Sequence, residues 1–227
     1  MWHSAAVRLP SLLLILLAAS ACAPATVSIA RGAREYVADD YPQVLQRWTR
    51  EQGLVQAAEL DQLLNVTATY ESWDFRWAYV VRYAHDYRLT TTQRRELLSR
   101  TLAESENVHE FYVALYGTKW RWSDLTKPES SWVVRLIDDK GNETAPTQLA
   151  RIKPGPLETR YFPYTTVWRQ AFRVAFPATS ADGRPTIAAQ SRWFGLRFAG
   201  PQGNEELRWE VRPDEVEKTA PAETAAP

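Results

Sequence analysis

The stretch "LLNVTATYESWDFRWAYVVRYAHDYRL", residues 63–89, holds two hydrophobic periods side by side. In its first part Leu64, Val66, Ala68 and Tyr70 alternate with polar neighbours, the period-two pattern that predicts a strand within residues 60–73. In its second part Trp73, Trp77, Val80, Val81, Ala84 and Tyr87 return every three or four residues, which predicts an amphipathic helix. Thr90–Thr92 then offer an N-cap for another helix, Gln93–Ser105, with Leu97, Leu98 and Leu102 along one side. The short join predicts an antiparallel helical hairpin over about 74–105.

Downstream of Asn107 the period is two throughout. His109, Phe111, Val113 and Leu115 alternate with Glu110, Tyr112, Ala114 and Tyr116. "SWVVRLIDDKGNET" reads as a strand running into a turn at Asp139 and Gly141, and "TQLARI" as a strand pairing back across it. "TTVWRQAFRVAFP" alternates from Val167 onward, and "RWFGLRFAGPQGNEELRWEV" reads as a hairpin around Gly-Pro-Gln-Gly. Upstream, Asp39-Asp40-Tyr41-Pro42 starts a helix with Val44, Leu45 and Trp48 on its apolar side and Gly53 as its end. Several short strands between turn signals predict a mainly β fold: an antiparallel β-sandwich, with an N-terminal helix and a helical hairpin inserted after the first strand. The expected single domain spans 39–211. Residues 22–38 lack apolar periodicity and read as a tether, and residues 212–227, rich in Pro, Ala, Glu and Thr, as a disordered tail.

The totals exclude several classes of function. The 227 residues contain 27 basic and 27 acidic side chains, a balance that gives no electrostatic case for nucleic acid. The single cysteine, Cys22, rules out an intramolecular disulfide and a Cys-based zinc site, and no disulfide-linked partner is expected. Hydrophobic residues make up 45% of the chain, enough for a sizeable core.

Cys22 closes the stretch "SLLLILLAASAC". Arg8 precedes a short apolar run, Leu12–Ala19, too short to cross a bilayer and right for a secretory signal over residues 1–21. Ala19-Ser20-Ala21-Cys22 resembles the lipobox of bacterial lipoproteins, with Ala19 where Leu is usual. The resemblance implies diacylglycerol on the Cys22 thiol, cleavage before Cys22 and a membrane held through the N-terminal lipid. Ala23, in place of an inner-membrane-retaining Asp, implies the outer membrane, facing the periplasm. Ala19-Ser20-Ala21 is also an A-x-A site for ordinary secretion, which would leave a soluble periplasmic or secreted protein. The pattern over residues 60–211 resembles envelope lipoproteins of Gram-negative bacteria with an immunoglobulin-like β-sandwich, a family that brings no catalytic residues to carry over.

The residues carry no catalytic signature. There is no G-x-S-x-G elbow, P-loop or dinucleotide fingerprint, and neither His85-Asp86 nor His109-Glu110 has metal-ligand spacing, so no catalytic residue, metal or cofactor is expected. Neighbours on a helix point about 100° apart, so His85 and Asp86 are expected not to face each other. Asp138 and Asp139 read as turn residues, and the "NVT" and "NET" triplets as chance. The excess is aromatic: ten Trp and ten Tyr. In "KWRWSD", if extended, Trp120 and Trp122 share a face. Burial in the core is the plainer expectation for both; exposed, they would be a ligand platform for a sugar ring. Trp168, Trp193 and Trp209 fall in strand patterns and are expected to be packing residues. The expected function is a non-enzymatic, lipid-anchored module that is structural or binds envelope proteins; the alternative is a glycan- or peptidoglycan-binding module using the exposed indoles. A cryptic hydrolase built on His85 or His109 ranks third.

Overall fold

The computed structural model describes residues 25–56 and 61–213; the signal segment, Cys22 and the tail beyond 213 lie outside the described residues. Ten strands form two sheets of five. The first has the order β1 (Thr26–Val27), β10 (Gly203–Val211), β9 (Trp193–Gly200), β5 (Val133–Asp138), β6 (Glu143–Thr144). The second has the order β2 (Thr49–Gln56), β3 (Asp61–Tyr70), β4 (Val108–Gly117), β8 (Gln170–Pro177), β7 (Gln148–Ile152). All pairings are antiparallel except β1 with β10. The helices are α1 (Tyr41–Trp48), α2 (Trp73–Asp86), α3 (Thr91–Asn107) and the short α4 (Pro156–Tyr161).

Residues 63–89 fold as their two periods dictate. Leu64, Val66 and Ala68 are fully buried on one side of β3, where Tyr70 meets Phe194 of the first sheet with ring centroids 5.1 Å apart. On β4, paired Phe111 points the same way and meets Trp209 at 5.5 Å, so the two sheets share one apolar core. The opposite side of β3 and β4 is also covered. Tyr112 stacks on Phe162 at 3.9 Å, and Thr69 Oγ1 lies 2.6 Å from Tyr164 Oη. Burial on both faces explains why β4 reads as nearly continuous apolar sequence. α2 starts at Ser72, whose Oγ accepts from Phe75 N, and α3 starts in a reciprocal cap between Thr90 and Gln93. The two helices pack together and bridge the adjacent strands β3 and β4.

Four expectations need correction. α1 ends at Trp48, because Thr49 turns extended and its Oγ1 bonds Leu45 O; Gly53 lies inside β2 instead, which makes the expected first strand, β3, the third in order. "TQLARI" does not pair back on β5: it forms β7 against β8, because Pro146 breaks the hairpin after two β6 residues and the chain crosses to the other sheet. The strand expected from Val167 begins at Gln170, because Arg169 N bonds Thr166 O in a turn.

The fourth concerns the tether, which is docked from Thr26 onward. Val27 is fully buried in β1 and its carbonyl accepts from Arg212 N. Asp74 on α2 then gathers four donors: Arg34 Nε, Tyr36 Oη, Arg47 Nη1 and Trp48 Nε1, at 2.7–3.1 Å. Burial pushes the Asp74 carboxyl up, but the bonds from Trp48, Tyr36 and Arg34 outweigh it and hold the group below the ordinary range. Two paired residues and scattered polar anchors leave no hydrophobic period, so a docked strap read as a loose one.

Candidate ligand-binding site

"KWRWSD" is not extended. β4 ends at Gly117, where a Cβ would come within 2.0 Å of Ser123 Oγ, so only glycine lets the chain fold back this tightly. Residues Trp120–Ser123 then form one 3₁₀ turn, in which positions two apart point about 120° apart. Trp120 and Trp122 therefore do not share a face. Both are exposed, at 45% and 50%, which overturns the expectation of burial in the core.

The turn is fixed through its backbone. Gln170 Nε2 donates to Trp120 O at 2.7 Å, and Ser131 N to Trp122 O at 2.6 Å. Below it, Asp124 is buried; its Oδ1 accepts from Thr126 and its Oδ2 from Arg151 Nη1 at 3.1 Å. Burial opposes ionisation there, but those bonds hold the Asp124 carboxyl below the ordinary range. Arg151 also lies over the Trp120 ring, 5.7 Å from its centroid.

Beside Trp120 opens a cavity of about 540 Å³. The end of β7 and the residues after it supply Arg151, Ile152, Lys153 and Pro154. The start of β8 supplies Gln170 and Ala171, and the loop before it Thr165–Val167 and Arg169. Arg169 is tied down on the second sheet by Glu51 at 3.0 Å and by Thr67 and Asn65. Burial pushes the Glu51 carboxyl up, but its bond from Arg169 prevails and lowers it. Gln170 is buried, and its Oε1 has no hydrogen-bond partner among the described residues. At the rim Val167 and Trp168 are 83% and 73% exposed, so Trp168 is not the packing residue its alternation suggested. Trp209 is fully buried, and Trp193 is half-buried beneath the Arg208 guanidinium, 4.1 Å from the ring centroid.

The histidines stay apart from this cavity. His109 is half-buried at the start of β4, with Nδ1 2.8 Å from Tyr70 Oη; burial, helped by the charge of Arg31, pushes its pKa down to about 4, so it is neutral at pH 7. Glu110, on the opposite side of the strand, bonds Arg76 and Arg173 instead. His85 is exposed at the end of α2 and, contrary to expectation, its Nδ1 reaches Asp86 Oδ1 at 3.3 Å. Both line a shallower cavity of about 400 Å³, where Asp86 is already engaged by Arg82 and Tyr161. Asp138 is a buried turn centre whose carboxylate accepts from Lys140 N, Asn142, Ala188 N and Ser191 Oγ. No group of three or more His, Cys, Asp or Glu among the described residues is placed to hold a metal ion.

Sequence reasoning picked out Trp120 and missed Arg151, Lys153 and Gln170. Their only trace is the basic pair in "ARIKPG", and nothing local says that β7 ends beside the 3₁₀ turn. No protein-family model matches this sequence, and no curated protein sequence matches it.

Proposed function

We propose that the protein is a non-enzymatic, lipid-anchored module of the cell envelope, an immunoglobulin-like β-sandwich that binds a glycan at the Trp120 cavity. The observation that carries the reading is an exposed indole, fixed through its backbone, at the mouth of a cavity lined by three threonines and three cations. A tryptophan side chain presents about 150–250 Å². With about half of that free on Trp120, stacking a sugar ring is worth at most about 3 kcal/mol at ~25 cal/mol per Å², before the losses of association. That suits weak, multivalent binding to a polymer.

The anchor fits the same role. Cys22 lies four residues before Thr26, the first paired residue, so a lipid on its thiol would keep the fold within about 14 Å of the bilayer. The test titrates the mature protein with soluble peptidoglycan fragments, followed by NMR shifts, alongside fatty-acid labelling of wild type and Cys22→Ser. The expected result is saturable shifts around Trp120 that Trp120→Ala removes, and label only on wild type. Absence of any saturable shift overturns the glycan reading, and absence of label overturns the anchor. A second reading, a protein partner, is favoured by the adjoining exposed Val167 and Trp168.

A further inference from the structure

We propose that the cavity selects an anionic sugar, with the ring against Trp120 and the carboxylate at Lys153; this rests on the glycan reading above. Three cations line the cavity, Arg151, Lys153 and Arg169, and among the described residues no Asp or Glu does. Two of the three are already neutralised. Arg151 pairs with Asp124 at 3.1 Å and Arg169 with Glu51 at 3.0 Å. Lys153 makes no ion pair or hydrogen bond among the described residues, so one positive charge in the lining is uncompensated. An ammonium is a flexible point charge suited to a single carboxylate, whereas both guanidinium forks here are held by protein acceptors.

The rest of the wall fits the remainder of such a ligand. Ile152, Pro154 and Ala171 give it an apolar side. A neutral sugar would use the indole and the hydroxyls but leave Lys153 unanswered. A dianion would exceed the one open charge. The matching class is a sugar carrying one carboxylate.

The experiment uses the mature, full-length protein and calorimetric titration with two probes: the disaccharide of N-acetylglucosamine and N-acetylmuramic acid, and its methyl ester, which is neutral. The acid is expected to bind about tenfold tighter than the ester in low salt, a difference that shrinks as salt rises. Lys153→Met is expected to bring the acid down to the affinity of the ester, and Trp120→Ala to weaken both. Equal affinity of acid and ester in the wild type overturns the proposed selection and leaves glycan binding standing. Failure of both probes to bind overturns the glycan reading and the selection with it. Preference for the acid that persists in Lys153→Met refutes the assignment to that residue.

Discussion

Replacing Arg76 with Met should destabilise the fold strongly. Arg76 is 3% exposed and sits where α2, α3, β3 and β4 converge. Its Nε donates to Glu71 O at 2.9 Å, its Nη1 to Thr101 O at 3.2 Å and its Nη2 to Glu110 Oε2 at 2.6 Å. With Arg173, which bonds Glu71 at 2.8 Å and Glu110 at 3.3 Å, and with the exposed Glu104, 3.5 Å from Arg76 Nη1, it makes a network of two cations and three carboxylates under the helical pair. Removing one cation leaves a buried carboxylate uncompensated and two carbonyls without their donor, a loss of about 4 kcal/mol. For a domain of this size that lowers Tm by about 10 °C. The loss should depend on pH in a defined direction. Burial already raises the Glu71 carboxyl above its ordinary range, against the pull of Arg173, and Arg76 pulls it down as well. Without Arg76 it rises further above its unfolded value, so protonation stabilises the variant below that value and the benefit is lost as pH rises. Urea unfolding followed by circular dichroism should therefore show a larger penalty at pH 8 than at pH 5. Adding Glu110→Gln to Arg76→Met should recover part of it. A penalty under about 1 kcal/mol, or one identical at both pH values, would refute the network's role.

Two further expectations concern His109 and Val27. His109 takes its proton at about 4 in the fold and at 6.5 in the unfolded chain, so the unfolded chain binds more protons between those values and stability falls as pH drops through them. Comparing wild type with His109→Gln from pH 7 to 4 should show about 3 kcal/mol more acid loss in the wild type; parallel curves would sink the assignment. Val27→Asp places a carboxylate at a fully buried position of β1, and thermal unfolding should fall by the equivalent of about 3 kcal/mol. An unchanged Tm would show that the segment is a detached tether after all.

What was legible in the sequence was what local burial decides. Leu64, Val66 and Ala68 share one sheet face, and the Thr90 cap sits at the start of α3, so period and capping could be read residue by residue. Partner choice could not be read that way. "TQLARI" alternates equally well against β5 or β8, and only the proline and the far sheet decide between them. Trp168 follows the alternation of β8 yet lies before its first paired residue, exposed, because the turn at Thr166 interrupts the ladder. Trp120 and Trp122 failed differently. Their spacing has meaning only once the backbone is known: they share a face only in an extended segment, and past Gly117 the chain forms a 3₁₀ turn.

The site escaped the sequence for a reason tied to the charge totals. Equal numbers of acidic and basic side chains removed any argument from net charge, but neutrality of a chain says nothing about neutrality of a cavity. Here the acids that answer Arg151 and Arg169 stand behind them: Asp124 under the 3₁₀ turn, and Glu51 on β2. They anchor the guanidinium groups without lining the space a ligand would enter. The cavity therefore has a cationic lining although its surroundings are balanced. Charge selection in such a site acts at short range, through Lys153 and over a few ångströms, and composition averaged over the whole chain erases it.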